Sequence, residues 1–65
     1  MTDVSILHLV GQSSDSWEDA VRQALHEATQ KVDKIQTIYV KEMMAEVENN
    51  KITNFNVHAK ITFLA

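Results

Sequence analysis

The sequence predicts an α+β fold with the element order β-α-β-β, in which one helix packs on a small three-stranded sheet. The main evidence is a run near the C-terminus, Asn54 to Phe63, in which polar and apolar side chains alternate without interruption. A period of two marks a β-strand with one buried face. A second strand-like run, Ile35 to Val47, lies upstream, and Asn49 and Asn50 between the runs tolerate the positive φ of a tight turn. The order of elements leaves the sheet antiparallel or mixed, with one long hairpin.

The first element is a predicted strand from Val4 to Val10. Apolar side chains occupy both of its faces, with Ile6 on one and Leu9 on the other, which favours burial on both sides. Gly11 is expected to break the strand.

A single amphipathic helix is predicted from Ser14 to Val32. Its apolar residues recur at the i, i+3, i+4, i+7 spacing of a helix that lies on a sheet. They are Trp17, Ala20, Val21, Ala24, Leu25, Ala28 and Val32. The preceding polar segment offers several N-caps, and Asp15 and Glu18 have the spacing of a capping box.

The register of the hairpin follows if Asn49 and Asn50 are the two turn residues, because paired positions then sum to about 99. The predicted pairs on the helix side are Met44 with Phe55, Val40 with Ala59 and Ile38 with Ile61. Those on the outward side are Met43 with Asn56, Lys41 with His58, Tyr39 with Lys60 and Thr37 with Thr62. Glu42 does not fit, since it falls on the core face opposite Val57. A bulge or a different turn length would remove this conflict.

The predicted hairpin is longer than the helix that should cover it. Its strands reach about 40 Å at roughly 3.3 Å per residue, whereas the helix reaches under about 30 Å at 1.5 Å per residue. The distal hairpin, which carries Met43, Met44, Val47 and Ile52, would then expose apolar surface in a monomer. We therefore expect the subunits to associate.

Length and composition limit the class of protein. The chain has 65 residues, no cysteine and a formal net charge of −3, and it is predicted to form a single domain over residues 1–65, near the lower limit of independent stability. Disulfides and thiolate metal sites are excluded. The Lys and Arg residues are spread singly and give no basic patch for nucleic acid. The sequence lacks a run long enough for a membrane span and a signal-peptide pattern, so we expect a soluble, cytoplasmic protein.

Three segments together resemble the dodecin family. They are a Gly-x-Ser-x-x-Ser-aromatic pattern from Gly11 to Trp17, an Ala-rich helix that ends in Val32-Asp33, and a hairpin that closes with residues 57–63. The resemblance covers nearly the whole chain. It implies a three-stranded antiparallel sheet that wraps the helix and a homo-oligomer of twelve subunits, a dodecamer that forms a hollow sphere. It also implies binding of riboflavin- or FMN-type flavin in stacked pairs at subunit interfaces, for storage or photoprotection. Some members are reported to bind coenzyme A or calcium.

The resemblance also places the flavin site, and the chain departs from the family pattern there. Flavin-binding members stack the isoalloxazine ring on a tryptophan early in the second strand and hydrogen-bond its edge with a glutamine in the third. These positions correspond to Thr37 and Asn56. Threonine has no aromatic face, so stacking worth about 1–3 kcal/mol is missing, and the amide of Asn56 is one methylene shorter. Tyr39 is a candidate substitute platform, although contact with Lys60 across the strands is an equally good interpretation.

Thr37 and Asn56 lie about 20 Å apart along the predicted strands, at roughly 3.3 Å per residue. A ligand that touches both would need two subunits. The prediction of an interface site agrees with this separation, whereas a well-stacked flavin does not.

An acidic row is the second candidate site. Glu42, Glu46 and Glu48 lie on one face of the second strand and could bind a hard cation, calcium above all, where copies of the subunit converge. Alternatively, the row is a negatively charged edge that only discourages aggregation.

The remaining aromatic and imidazole side chains have structural interpretations. Trp17 lies on the apolar stripe of the first helical turn and is expected to pack in the core or an interface. His8, His26 and His58 lie on three different elements, which argues against a zinc site within one subunit.

The sequence offers no catalytic motif. It has no nucleophile with a partnered base and no glycine-rich phosphate loop. We therefore predict a ligand-binding protein and not an enzyme: a flavin-binding shell, or alternatively a flavin-free assembly that binds calcium, another cation or coenzyme A, or that is mainly structural.

Overall fold

A computed structural model describes residues 3–65 of the chain. Strand β1 spans Val4–Ser13, helix α1 spans Trp17–Lys31, and strands β2 and β3 span Ile35–Glu48 and Lys51–Leu64. The strands form one antiparallel sheet in the order β1-β3-β2. The predicted β-α-β-β order and the antiparallel sheet are confirmed.

Strand β1 continues through Gly11 to Ser13, so the predicted break at Gly11 is wrong. A Cβ atom at Gly11 would lie 2.1 Å from the backbone oxygen of Ala20 and 2.9 Å from Ala24 Cβ. The glycine therefore lets the helix approach the strand closely. It pairs with Val57 in the middle of the sheet and does not interrupt it.

Burial along β1 alternates, contrary to the predicted burial on both sides. Leu9 is buried against the helix, whereas Val4 and Ile6 on the opposite side are 64% and 54% exposed. The reason is that α1 covers one side of the sheet only. Strand β1 thus keeps an uncovered apolar side in the subunit.

Helix α1 begins later than predicted. Ser16 is the N-cap, and its hydroxyl accepts a hydrogen bond of 3.0 Å from the backbone N–H of Asp19. The predicted capping box of Asp15 and Glu18 is therefore wrong by one position. The hydroxyl of Ser13 accepts from the N–H of Asp15 at 2.9 Å and donates to Asp19 Oδ2 at 2.6 Å, which ties the end of β1 to the first helical turn.

The core lies between one side of the helix and the centre of the sheet. Its buried apolar residues are Leu9, Ala20, Ala24, Ala28, Val57, Ala59 and Ile61. The helix contributes only alanines to this set, and these short side chains permit the close approach at Gly11. Leu25, placed in the predicted stripe, is 38% exposed and lies at its margin.

The two ends of the hairpin have the predicted register. Asn49 and Asn50 adopt φ values of 52° and 64° in the turn, Glu48 pairs with Lys51, and Ile38 pairs with Ile61. Positive φ at both central residues is the geometry of a type I′ turn, which asparagine tolerates better than most residues.

The middle of the hairpin is shifted by one residue. A bulge between Val40 and Glu42 pairs Glu42 with His58, and a second irregularity after Glu46 restores the register. The predicted pairs of Lys41 with His58, Met43 with Asn56 and Met44 with Phe55 are therefore wrong. In their place Met43 pairs with Val57, Met44 with Asn56 and Ala45 with Phe55. The bulge keeps the Glu42 carboxylate off the core face, as the misfit in the sequence had indicated.

The distal hairpin extends beyond the helix, as predicted. The subunit measures 53 × 18 × 13 Å, and Met43, Val47 and Ile52 are 56%, 60% and 53% exposed. The helix therefore covers only part of the sheet.

Candidate ligand-binding face

The side of the sheet that faces away from α1 is here called the open face. On β3 its residues alternate with the buried Val57, Ala59 and Ile61, and residues paired across the strands share a side. The central part of the open face consists of Ile6, His8, Val10 and Gln12 on β1, Asn56, His58, Lys60 and Thr62 on β3, and Thr37, Tyr39, Glu42 and Met44 on β2.

The two residues that the resemblance assigns to the flavin site, and the candidate substitute platform Tyr39, all lie on the open face. Thr37 pairs with Thr62, Tyr39 with Lys60, and Asn56 with Met44. Thr62 and Asn56 are six residues apart on β3, which corresponds to about 20 Å at roughly 3.3 Å per residue. The structure therefore places the three residues on one surface but does not bring Thr37 and Asn56 together within a subunit.

At the Thr37 end of the open face, polar side chains contact one another across the strands. The hydroxyls of Thr37 and Thr62 are 2.5 Å apart and share a hydrogen bond. The Lys60 ammonium lies 5.5 Å from the centroid of the Tyr39 ring, a cation–π distance. The cross-strand contact of Tyr39 with Lys60 is thus confirmed. Because Tyr39 remains 59% exposed, much of its surface is still accessible.

The Asn56 end of the open face is a hydrogen-bonded group of one carboxylate and two amides. Asn56 Nδ2 donates to Glu46 Oε1 at 3.0 Å, and Asn54 Nδ2 donates to the same oxygen at 3.3 Å. Asn54 Nδ2 also donates to Asn56 Oδ1 at 3.2 Å. The two hydrogen bonds to Glu46 hold its pKa below its ordinary value, because they favour the ionised form. The bond from Asn56 has the larger effect and the bond from Asn54 the smaller.

The acidic row follows β2 but is divided among different partners. Glu42 pairs with His58, Glu46 with Asn54, and Glu48 with Lys51 next to the turn. Among residues 3–65, no three His, Asp or Glu side chains are close enough to hold a metal ion together. For the described residues, a cation site built from this row therefore needs side chains from more than one subunit. The assignment of this row to cation binding stays a prediction.

Trp17 packs at the edge of the core, as predicted. Its ring meets Phe55 edge to face with centroids 4.9 Å apart, a favourable aromatic geometry. Its indole N–H donates a hydrogen bond of 3.1 Å to the backbone oxygen of Met44. The start of the helix is thereby fixed to the base of the distal hairpin.

Asn54 belongs to this candidate site, and the sequence analysis did not predict it. Its contact with Glu46 depends on the bulge, because an unshifted two-residue hairpin register would place Asn54 opposite Ala45. The signal that could have found it was the Glu42 misfit. A bulge at that point moves the pairs that follow it by one residue and brings Glu46 opposite Asn54.

Comparison with protein families assigns the fold to a known group. The family model described as Dodecin matches residues 4–65. The chain belongs to the dodecin family. Proteins with curated descriptions give no match. Within residues 3–65, no helix has both the length and the apolar character needed to cross a membrane.

Solved dodecin structures share this architecture. A dodecin from Streptomyces coelicolor is 25% identical, with 98% of this chain and 91% of that chain covered and a TM-score of 0.93. A dodecin from Streptomyces davaonensis is 20% identical, with 98% and 94% covered and a TM-score of 0.93. A calcium dodecin from Mycobacterium tuberculosis, described as a calcium-chelating antigen with a novel calcium-binding site, is 27% identical, with 94% and 87% covered and a TM-score of 0.81.

Proposed function

We propose that this dodecin-family protein is a small-ligand-binding protein, not an enzyme, that assembles as a homo-oligomer and binds its ligand on the open face between subunits. The observation that carries the proposal is the open face itself, a sheet surface without a helix over it on which Thr37, Tyr39 and Asn56 all lie. Polar and aromatic side chains on an uncovered surface are available to a ligand or a neighbouring subunit.

Assembly is supported by the apolar surface that the helix leaves uncovered. The distal hairpin is exposed at Met43, Val47 and Ile52, and β1 is exposed at Val4 and Ile6. So much apolar surface on a 65-residue chain is unfavourable in water. A dodecamer is the assembly that family membership favours.

The assembly is tested by light scattering on the purified protein. We expect a mass about twelve times that of the 7.4 kDa subunit. Val47→Lys places a charge in the distal hairpin and should lower the mass while the circular dichroism spectrum of the fold is retained. Thr29→Lys, on the exposed side of α1, is the control for added charge. A monomer at micromolar concentration would contradict the proposal.

Flavin, as riboflavin or FMN, is the first ligand to test. Thr37 lacks an aromatic surface, so we expect weak binding in the native protein. Thr37→Trp combined with Asn56→Gln should raise the affinity about tenfold to a hundredfold, the equivalent of one stacking contact of about 1–3 kcal/mol. Quenching of flavin fluorescence measures the flavin affinity of the native protein and of the double variant. Thr29→Trp adds an exposed indole elsewhere and should change nothing.

A second candidate is calcium binding by a flavin-free assembly. The ionised carboxylate of Glu46 on the open face favours it, as does the likeness to a calcium dodecin. Calcium needs six to eight oxygen ligands, which the acidic row supplies only if subunits converge. Calcium should then raise the melting temperature in excess sodium and magnesium, and Glu46→Gln should weaken the shift. Equal stabilisation by any divalent ion would leave only a diffuse acidic field.

A further inference from the structure

The amide of Asn56 is already engaged within the subunit. Its Nδ2 donates to Glu46 Oε1 and its Oδ1 accepts from Asn54. An amide group has two N–H donors and a carbonyl oxygen with two lone pairs, so one donor and one lone pair of Asn56 are occupied. A ligand edge can use only the remaining donor and lone pair unless it displaces Glu46 or Asn54.

The group with the most free acceptor capacity in this cluster is the carboxylate of Glu46. An ionised carboxylate accepts about four hydrogen bonds, and the two formed here both end on Oε1. Among the described residues 3–65, none donates a hydrogen bond to Oε2 of Glu46. The hydrogen bonds from Asn56 and Asn54 lower the pKa of Glu46 and so favour its charged form. The chemistry offered to a ligand is therefore that of an acceptor with negative charge.

A surface for a planar ring lies beside the carboxylate. Met44 pairs directly with Asn56 and is 44% exposed, and Gln12 pairs with Asn56 from the other side. The thioether of methionine is polarisable and adapts to aromatic rings. A ring that lies on Met44 would direct its edge toward Glu46, two residues along the same strand.

We propose that Glu46 is the specificity-determining residue of the open face: it selects a planar ligand whose edge donates N–H groups and carries positive charge, over one whose edge presents carbonyl oxygens. The inference rests on the proposed ligand-binding function. An amino group on a cationic ring donates to the carboxylate in a charge-assisted hydrogen bond. The imide edge of a flavin is neutral and offers a single N–H between two carbonyl oxygens, whose lone pairs face the negative carboxylate unfavourably.

The test compares two planar probes on the native assembly. Proflavine is a cationic ring with amino groups at its edge, and riboflavin is a neutral ring with an imide edge. Fluorescence titrations are made on the native protein and on Glu46→Gln, which removes the charge but keeps an oxygen that can accept from both asparagines. Glu48→Gln removes the same charge from the same strand beside Lys51 and is the matched control.

We expect the native protein to bind proflavine about tenfold more tightly than riboflavin. Glu46→Gln should reduce proflavine affinity about fivefold and leave riboflavin affinity equal or higher, whereas Glu48→Gln should preserve the native preference. Equal changes in the two variants, or an unchanged preference in Glu46→Gln, would overturn the inference and leave the proposed function standing. Failure of both probes to bind the native protein and every variant would overturn the proposed ligand face as well.

Discussion

The two halves of the same sheet are built differently. Under the helix, Val57, Ala59 and Ile61 are almost completely buried and pair in an unbroken register with β1. In the distal hairpin, beyond the last β1 pair at Phe55, the same strand pairs with β2 alone, and Val47 and Ile52 remain more than half exposed. The covered half depends on contacts within the subunit, whereas the distal half offers apolar surface to other molecules.

This difference separates two roles along one chain. Substitutions under the helix should change the stability of the subunit, because buried contacts are lost or strained there. Substitutions in the distal hairpin should mainly change association. Matched substitutions in the two halves therefore measure how sharply the two roles are divided.

The largest effect is expected from a charge placed under the helix. Ala24 is completely buried, while its neighbour Leu25 is 38% exposed. Ala24→Asp should destabilise the subunit by about 3–5 kcal/mol, because the carboxylate would be buried without a partner. Leu25→Asp is the control, since its carboxylate can reach water. Urea unfolding followed by circular dichroism measures the free energy of unfolding of both variants. Equal losses of stability would show that Ala24 does not face the sheet more closely than Leu25.

The close approach of helix and strand gives the next effect. In Gly11→Ala the new methyl group would lie 2.1 Å from the backbone oxygen of Ala20, and a backbone atom cannot rotate away. We expect a loss of about 3 kcal/mol, at the upper end of the usual cost of overpacking. Gln12→Ala, on the adjacent exposed residue, should cost much less. Thermal melts of the two variants provide the comparison, and a Gly11→Ala protein of native stability would contradict the packing.

The same comparison explains how much of the fold could be predicted from the sequence. The alternation from Asn54 to Phe63 and the two turn asparagines were sufficient to predict the hairpin, because period and turn chemistry are local properties. The role of Gly11 was not predictable in this way. A glycine inside a strand pattern can mark a break or a close approach, and only the position of Ala20 in the folded chain distinguishes them.

For the candidate site, the sequence was sufficient to predict the side of the sheet on which its residues lie, but not which side chains contact each other. Asn56 lies on the open face of β3, and Thr37 and Tyr39 pair with β3 residues that alternate onto the same side. The partner of Glu46 was not predictable, since it depends on a bulge whose position the sequence left open. One inserted residue changes which side chains meet across the strands.

The hairpin turn should show a moderate effect in the distal half. Asn50 has a φ of 64°, where a residue with a Cβ atom is strained unless its side chain can compensate. Asn50→Ala should cost about 1 kcal/mol, and Asn50→Gly should restore or exceed native stability. Denaturant unfolding of both variants tests this. Equal stability of the alanine and glycine variants would mean that the turn does not need the left-handed conformation.

The smallest effect is the pH dependence contributed by Glu46. Hydrogen bonds from Asn56 and Asn54 lower its pKa below the ordinary value of 4.5, so the folded protein binds this proton less tightly than the unfolded chain. The stabilisation is present above that pH and is lost as the pH falls below it. The native protein should therefore have a higher melting temperature than Glu46→Gln at pH 7, and the difference should close as the pH falls below 4.5. Glu48→Gln controls for the change in overall charge, and a gap that stays constant with pH would show that the two amides do not favour the ionised form.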